Sequence, residues 1–190
     1  LSIYSFFQDL MGAKNELSVF ANQYIRAKEG DAILDIGCGP ADILEYFLNV
    51  GYWGFDISEK YKAKAKVKYG VRGEFFANIL SLKGLEKMPK FDLAIASGVL
   101  HHVDDNTAES IFKLAHSALK PGGRFLTIDP CFTTDQNFIA RFLISKDRGQ
   151  NVRNKVGYEK LASFIFSKID ITIKNKKWIP YTHCIMVCSK

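Results

Sequence analysis

Along the chain, apolar positions switch repeatedly between a helical and a strand rhythm. Over 12–28, Leu17, Phe20, Ala21, Tyr24 and Ile25 recur at helical spacing. Residues 32–36 form a short apolar run ending in glycines, the pattern of a buried parallel strand. A helical stretch is predicted over 41–50 and a second strand over 52–56. In 58–69, Lys60, Lys62, Lys64, Lys66 and Lys68 alternate with other residues and imitate an exposed strand. A helix is favoured there: Ser58 is a good cap, Lys and Ala are good helix formers, and two parallel strands need a crossover between them. Strands follow at 74–78 and 91–97. A helix is predicted over 107–119, with Ile111, Leu114, Ala115 and Ala118 on one side. Lys120-Pro121-Gly122-Gly123 stops it, and 124–129 reads as strand five.

This alternation predicts an α/β fold: a doubly wound, mostly parallel sheet with helices on both faces. After Asp129 the rhythm changes. An extra amphipathic helix is expected over 135–145, a polar basic loop over 146–155 and a helix over 158–167. Strands at 170–175 and 181–189 lie too close for a crossover, so they should pair antiparallel. With 190 residues, no internal repeat and no low-complexity linker, one domain is expected. Its parts are an N-terminal helical lid (1–29), a core (30–130), an insertion with its helix (131–168) and a C-terminal strand pair (169–190).

No apolar run reaches the roughly 18 to 20 residues of a membrane helix. The first seventeen residues lack the basic-then-apolar order of a signal peptide, so the expected location is the cytoplasm. Cys38, Cys131, Cys184 and Cys188 show no CxxC pairing, which points to buried free thiols and no metal site. The net charge of +6 is uneven: residues 141–190 hold eleven lysines and arginines against three acids. Such a region suits a solvated surface, or an anionic partner such as nucleic acid, a lipid headgroup or a phosphorylated small molecule.

The chemistry concentrates in Leu34-Asp35-Ile36-Gly37-Cys38-Gly39-Pro40-Ala41-Asp42. Glycines just past a buried strand let the backbone turn tightly and approach a ligand, at the strand ends where open α/β sheets bind ligands. Asp56 ends strand two, 17 residues after Gly39, where a carboxylate can hold ribose hydroxyls. A dinucleotide is disfavoured. Asp42 stands where the dinucleotide fingerprint wants a third glycine, Asp35 and Asp42 would repel a pyrophosphate, and no second domain is left for a hydride acceptor. An acidic turn suits a ligand carrying an ammonium and a sulfonium.

Together these segments resemble the class I (Rossmann-like) S-adenosylmethionine-dependent methyltransferase family, over about residues 30–130. LDIGCGPAD resembles the first motif, GFDIS the second, FFANIL the third, FDLAIASGVLHHVDD the fourth and LKPGGRFLTIDP the next. The resemblance implies a seven-stranded sheet with an antiparallel last strand. It also implies S-adenosyl-L-methionine as cofactor and S-adenosyl-L-homocysteine as its product. By resemblance, Asp35, Gly37 and Gly39 line the methionine end, Asp56 holds the ribose, Ile57 packs on the adenine with Asn78 near its amino group, Ser97 lies near the methionyl group, and Cys38 and Ile79 also belong to the cofactor site. Two departures stand out. Ala41 replaces a common third glycine, tolerable if its φ stays negative, and Asn78 replaces a common Asp but keeps a carbonyl acceptor.

His101 and His102 follow strand four, where a general base would reach an acceptor hydroxyl or amine. His101 is favoured as the less structural of the two; the alternative is a loop-fixing hydrogen bond. Tyr4, Phe6, Phe7 and Gln8 suit either a lid over the cofactor or an ordinary packing helix. Arg141, Arg148 and Arg153 suit a guanidinium clamp on an acceptor phosphate or carboxylate, or a plain surface. His183 is expected simply to be packed. The expected activity is methyl transfer to an O or N atom of a small molecule or glycan/lipid precursor. RNA methylation and a catalytically silent cofactor-binding protein remain as alternatives.

Overall fold

The computed structural model describes residues 13–145, 149–175 and 181–190. Its strands are β1 (Ala32–Ile36), β2 (Gly51–Phe55), β3 (Glu74–Phe76), β4 (Phe91–Ser97), β5 (Leu119–Phe132), β6 (Arg153–Asn154), β7 (Lys168–Asn175) and β8 (Thr182–Ser189). The main sheet runs β3-β2-β1-β4-β5-β8-β7, with the short β6 beside the end of β5. β1 to β5 are parallel, and β8 lies antiparallel between β5 and β7. The expected seven-stranded sheet with an antiparallel last strand is therefore present.

Alternation along the strands divides the core in two. On one face, Phe20 and Ile25 of the N-terminal helical segment pack with Leu44 and with Tyr69 of α2 (Glu59–Tyr69). That segment is α1 (Ala13–Val19), which widens into a π-helical turn over Phe20–Ile25. On the other face, Phe112 of α4 (Asp105–Ala118) meets Phe125 edge-on at 5.3 Å and Phe166 at 6.4 Å. Each such buried ring contributes roughly 1.5–3 kcal/mol. The short α3 (Leu82–Leu85) and α6 (Lys155–Ser163) share this second face through Leu85 and Leu161. The lysine-rich 58–69 stretch is helical as expected, with the Ser58 hydroxyl accepting from Tyr61 N.

Four local expectations are corrected. The 41–50 helix shrinks to a single 3-10 turn, Asp42–Tyr46, because Phe47 is extended and Asn49 has φ +49°. Arg72 occupies the end of that turn, its guanidinium donating to the carbonyls of Leu44 and Phe47. β3 stops at Phe76, two residues early. Lys120 to Gly123 do not break the chain before strand five but bulge within it: Phe91 pairs with Leu119, and the next β4–β5 pair is Leu93 with Arg124. The extra helix is shorter than expected, α5 (Phe138–Ser145), and the basic loop is tied to the sheet through β6.

Candidate functional site

The carboxyl ends of β1 and β2 are joined tightly. Gly37 N and Cys38 N both donate to Phe55 O, at 2.7 and 2.9 Å. Gly37 has φ +75°, and a Cβ there would lie 2.5 Å from Val99 Cγ2, so both its conformation and its surroundings demand glycine. Asp56 then bridges the two turns. Its carboxylate accepts from Gly39 N at 3.0 Å and from its own loop through Ser58 N at 2.8 Å. A carboxylate has about four acceptor positions, so this half-buried group keeps capacity for a ligand. Above Gly39 the space is open: an added Cβ would meet nothing within 4 Å.

Ala41 departs from expectation. Its φ is +59°, the left-handed region, which costs a residue with a Cβ roughly 1–2 kcal/mol. The geometry of a third glycine is retained without the glycine. Asp42 also differs, since it faces Lys68 Nζ at 3.0 Å. The acidity of this edge therefore rests on Asp35 and Asp56.

Asp35 is only 2% exposed. Tyr52 Oη donates to its Oδ2, while Oδ1 is buried with no hydrogen-bond partner. Burial pushes the carboxyl up to about 7, against the Tyr52 hydrogen bond and with the help of the nearby Asp56 charge. Cys38 is half-buried beside it. Ile57, Asn78 and Ile79 are all exposed along the same edge. Asn78 and Ile79 also line a cavity of about 500 Å³ with Trp53, Phe55, Phe76 and Met88, where Phe55 and Phe76 stack at 4.6 Å. Ser97 ends β4 half-buried, beside Gly98 with φ +68°.

The turn after β4 is built differently. His101 N and His101 Nδ1 both lie against Asp129 Oδ1, at 3.1 and 2.8 Å. His101 is 5% exposed and Asp129 1%, whereas His102 is exposed. The expected order of the pair is thus reversed: His101 is the one held in the structure, because β4 and β5 are neighbours and Asp129 lies near the carboxyl end of the second of them. Burial pushes Asp129 above the usual carboxylate range, with its His101 contacts working against this. Two glycines flank the imidazole. A Cβ on Gly98 would lie 3.7 Å from His101 Cε1, and one on Gly149 only 2.0 Å from His101 Cδ2.

Arg153 does not clamp a ligand. Its side chain is 11% exposed and spends all its donors within the protein. Nε and Nη2 meet Asp105, at 2.8 and 2.7 Å, Nη1 donates to Leu100 O and Asn151 O, and Nη2 also to Val103 O. The buried Tyr158 adds a second tie, donating to Pro130 O at 2.9 Å. Arg141 is exposed, its guanidinium 5.5 Å from the Phe132 ring. His183 is more than packed, with Nδ1 3.1 Å from Glu16 Oε1. Tyr4, Phe6, Phe7, Gln8 and Arg148 lie outside the described residues. Sequence reasoning missed the contact of Tyr52 with Asp35, and those of Asp129 and Gly149 with His101. Asp129 alone left a signal, as the acid closing a strand next to strand four.

A family model described as a methyltransferase domain matches residues 34–125. The match takes in the glycine turn and runs from within β1 through β4, and the sheet order agrees with the Rossmann-like methyltransferase fold. A search of curated proteins finds no match. Solved structures share the fold at low identity. A SAM-dependent methyltransferase from Archaeoglobus fulgidus is 14% identical, with a TM-score of 0.78 and all of both chains covered. The 1,6-didemethyltoxoflavin-N1-methyltransferase of Burkholderia thailandensis, solved with 1,6-didemethyltoxoflavin and S-adenosylhomocysteine, is 19% identical with a TM-score of 0.70. There the match covers all of this chain and 84% of that one. The cyclopropane synthase MmaA2 of Mycobacterium tuberculosis is 18% identical, with a TM-score of 0.64 over 85% of this chain. The chain spans 64% of that enzyme's length. Among the described residues no helix is long and apolar enough to cross a membrane.

Proposed function

We propose that this protein transfers a methyl group from S-adenosyl-L-methionine to an O or N atom of a small molecule or glycan/lipid precursor, with a cytoplasmic setting as part of the same reading. The observation that carries it is the paired acidic edge: Asp56 clasping the glycine turn, and Asp35 beside it with a buried oxygen lacking a donor. These residues fit the cofactor's chemistry. The orphaned Asp35 Oδ1 suits an ammonium, the open space over Gly39 suits a ligand backbone, and Asp56 has acceptor capacity for a ribose. In this reading Ile57, Asn78 and Ile79 border the adenine, and Cys38 and Ser97 border the methionyl portion. When bound, the cofactor supplies an activated methyl on a cationic sulfur.

What remains for the protein is alignment of the acceptor and removal of its proton. In this reading His101 is the base. Asp129 accepts the Nδ1 proton, which sets the tautomer with Nε2 as the basic nitrogen and stabilises the imidazolium once it has taken a proton. The exposed His102 borders the same turn and is the alternate candidate. In this reading the 131–168 stretch is the acceptor side, with Arg141 available to an anionic group.

The test is methyl transfer from radiolabelled S-adenosylmethionine into a host extract fractionated into small molecules, lipids, RNA and protein. Label in the small-molecule or lipid fraction is expected. Label in RNA would overturn the acceptor assignment, and cofactor binding with no label in any fraction would favour a silent binder.

A further inference from the structure

We propose that Tyr52 is a positioning residue of the cofactor site: its hydroxyl anchors one oxygen of the Asp35 carboxylate and thereby presents the other to the ammonium group of an amino-acid-bearing ligand. This rests on the methyltransferase reading above and names a residue outside the five motifs that carry the family resemblance.

Tyr52 sits on β2 opposite Ile33, while Asp35 lies opposite Gly54, so the hydroxyl reaches diagonally across two strands. The ring has little freedom. A Cβ on Gly54 would lie 3.0 Å from Tyr52 Cε1, and one on Gly73 3.0 Å from Tyr52 Cδ1, so the ring fills the space that two glycines leave. Phe75 closes another side at 5.9 Å between centroids. Burial, with Asp35 next in effect, drives the Tyr52 hydroxyl well above its ordinary pKa, so it stays a donor throughout the working range. With Oδ2 held, the carboxylate cannot rotate, and Oδ1 is left as a buried acceptor without a donor.

The charge balance says what that donor is. The titratable groups facing Asp35 are Tyr52 from β2, Asp56 from the following turn and Cys38 from the turn after β1. Tyr69 of α2 stands behind Tyr52. None of these is a cation, so an ionised Asp35 has no positive partner among them, and a cationic ligand group supplies it. The hydrogen bond from Tyr52 also favours the ionised form, so it both orients the carboxylate and keeps it charged.

Calorimetry on Tyr52→Phe tests this, since the substitution removes the hydroxyl and keeps the ring. Two probes are used: S-adenosylhomocysteine, which carries the ammonium, and 5′-methylthioadenosine, which has the same adenosine without the amino-acid portion. The expected result is a roughly tenfold loss of affinity for S-adenosylhomocysteine at pH 7, with methylthioadenosine unchanged. The pH below which S-adenosylhomocysteine affinity falls should also move upward, because Asp35 loses a hydrogen bond that favours its charged form. Asp35→Asn should produce the same selective loss and flatten the pH profile. Equal losses on both probes, or no loss with an unmoved profile, would overturn the role of Tyr52. Failure of the unaltered protein to bind either probe would overturn the cofactor reading itself, and the proposal with it.

Discussion

The two halves of the carboxyl edge are built on opposite plans. Around β1 and β2, a carboxylate bridges two turns, glycines leave open space, and one buried oxygen lacks a partner. Around β4 and β5 the space is filled instead. His101 lies against Asp129, Gly149 closes on the ring, and Arg153 saturates the carbonyls of the turn. The first half is shaped as a receptacle for a ligand of fixed chemistry. The second is a rigid mount for one imidazole.

Four substitutions would break or sharpen that contrast. His101→Gln should have the largest effect, lowering turnover by roughly 10²–10⁴-fold while leaving S-adenosylhomocysteine affinity unchanged in calorimetry. If His102→Ala does this and His101→Gln does not, the base moves by one residue. Arg153→Ala strips a charged donor from three carbonyls and Asp105, and should lower unfolding free energy by about 3 kcal/mol in a denaturant titration. It should leave cofactor affinity intact. Asp56→Ala should do the converse, weakening cofactor binding by about 1.5–3 kcal/mol. Unchanged affinity would mean that the ribose lies elsewhere. Smallest is Ala41→Gly, which relieves a left-handed alanine and should stabilise the protein by about 1 kcal/mol, read as a shift in the denaturation midpoint.

Proton linkage offers a further check on the receptacle. Asp35 is held near 7 in the fold, against an ordinary value of 3.8. The cofactor-free fold therefore binds a proton that the unfolded chain has already released between those values. Its stability should fall as pH rises from about 4 to 7, and Asp35→Asn should remove that slope in melts taken across the range.

The same contrast explains what was legible. The glycine turn, Asp56 and the strands at 32–36 and 91–97 announce themselves because their signals are local: a run of apolar residues, a turn, a spacing of 17. The β4–β5 half is assembled by contacts between distant residues, with 28 positions separating His101 from Asp129 and 53 separating Leu100 from Arg153. A histidine pair in sequence does not say which member has a buried carboxylate waiting on the next strand. Nor does a basic stretch say that one of its arginines faces inward. Ala41 misled for another reason, since a small residue carries no mark of a left-handed backbone imposed by its neighbours. The 41–50 helix failed on tertiary grounds, because Arg72 takes the carbonyls that a second turn would have needed.

The placement of β8 has a consequence for the order of assembly during synthesis. This strand is synthesised after both β5 and β7, yet it sits between them in the sheet. Until residue 189 emerges, β5 keeps an open edge and β7 has no strand to pair with. A nascent sheet with an uncapped hydrophobic edge is a template for mispairing. Pausing or truncation upstream of 182 should thus yield aggregation rather than a smaller folded core.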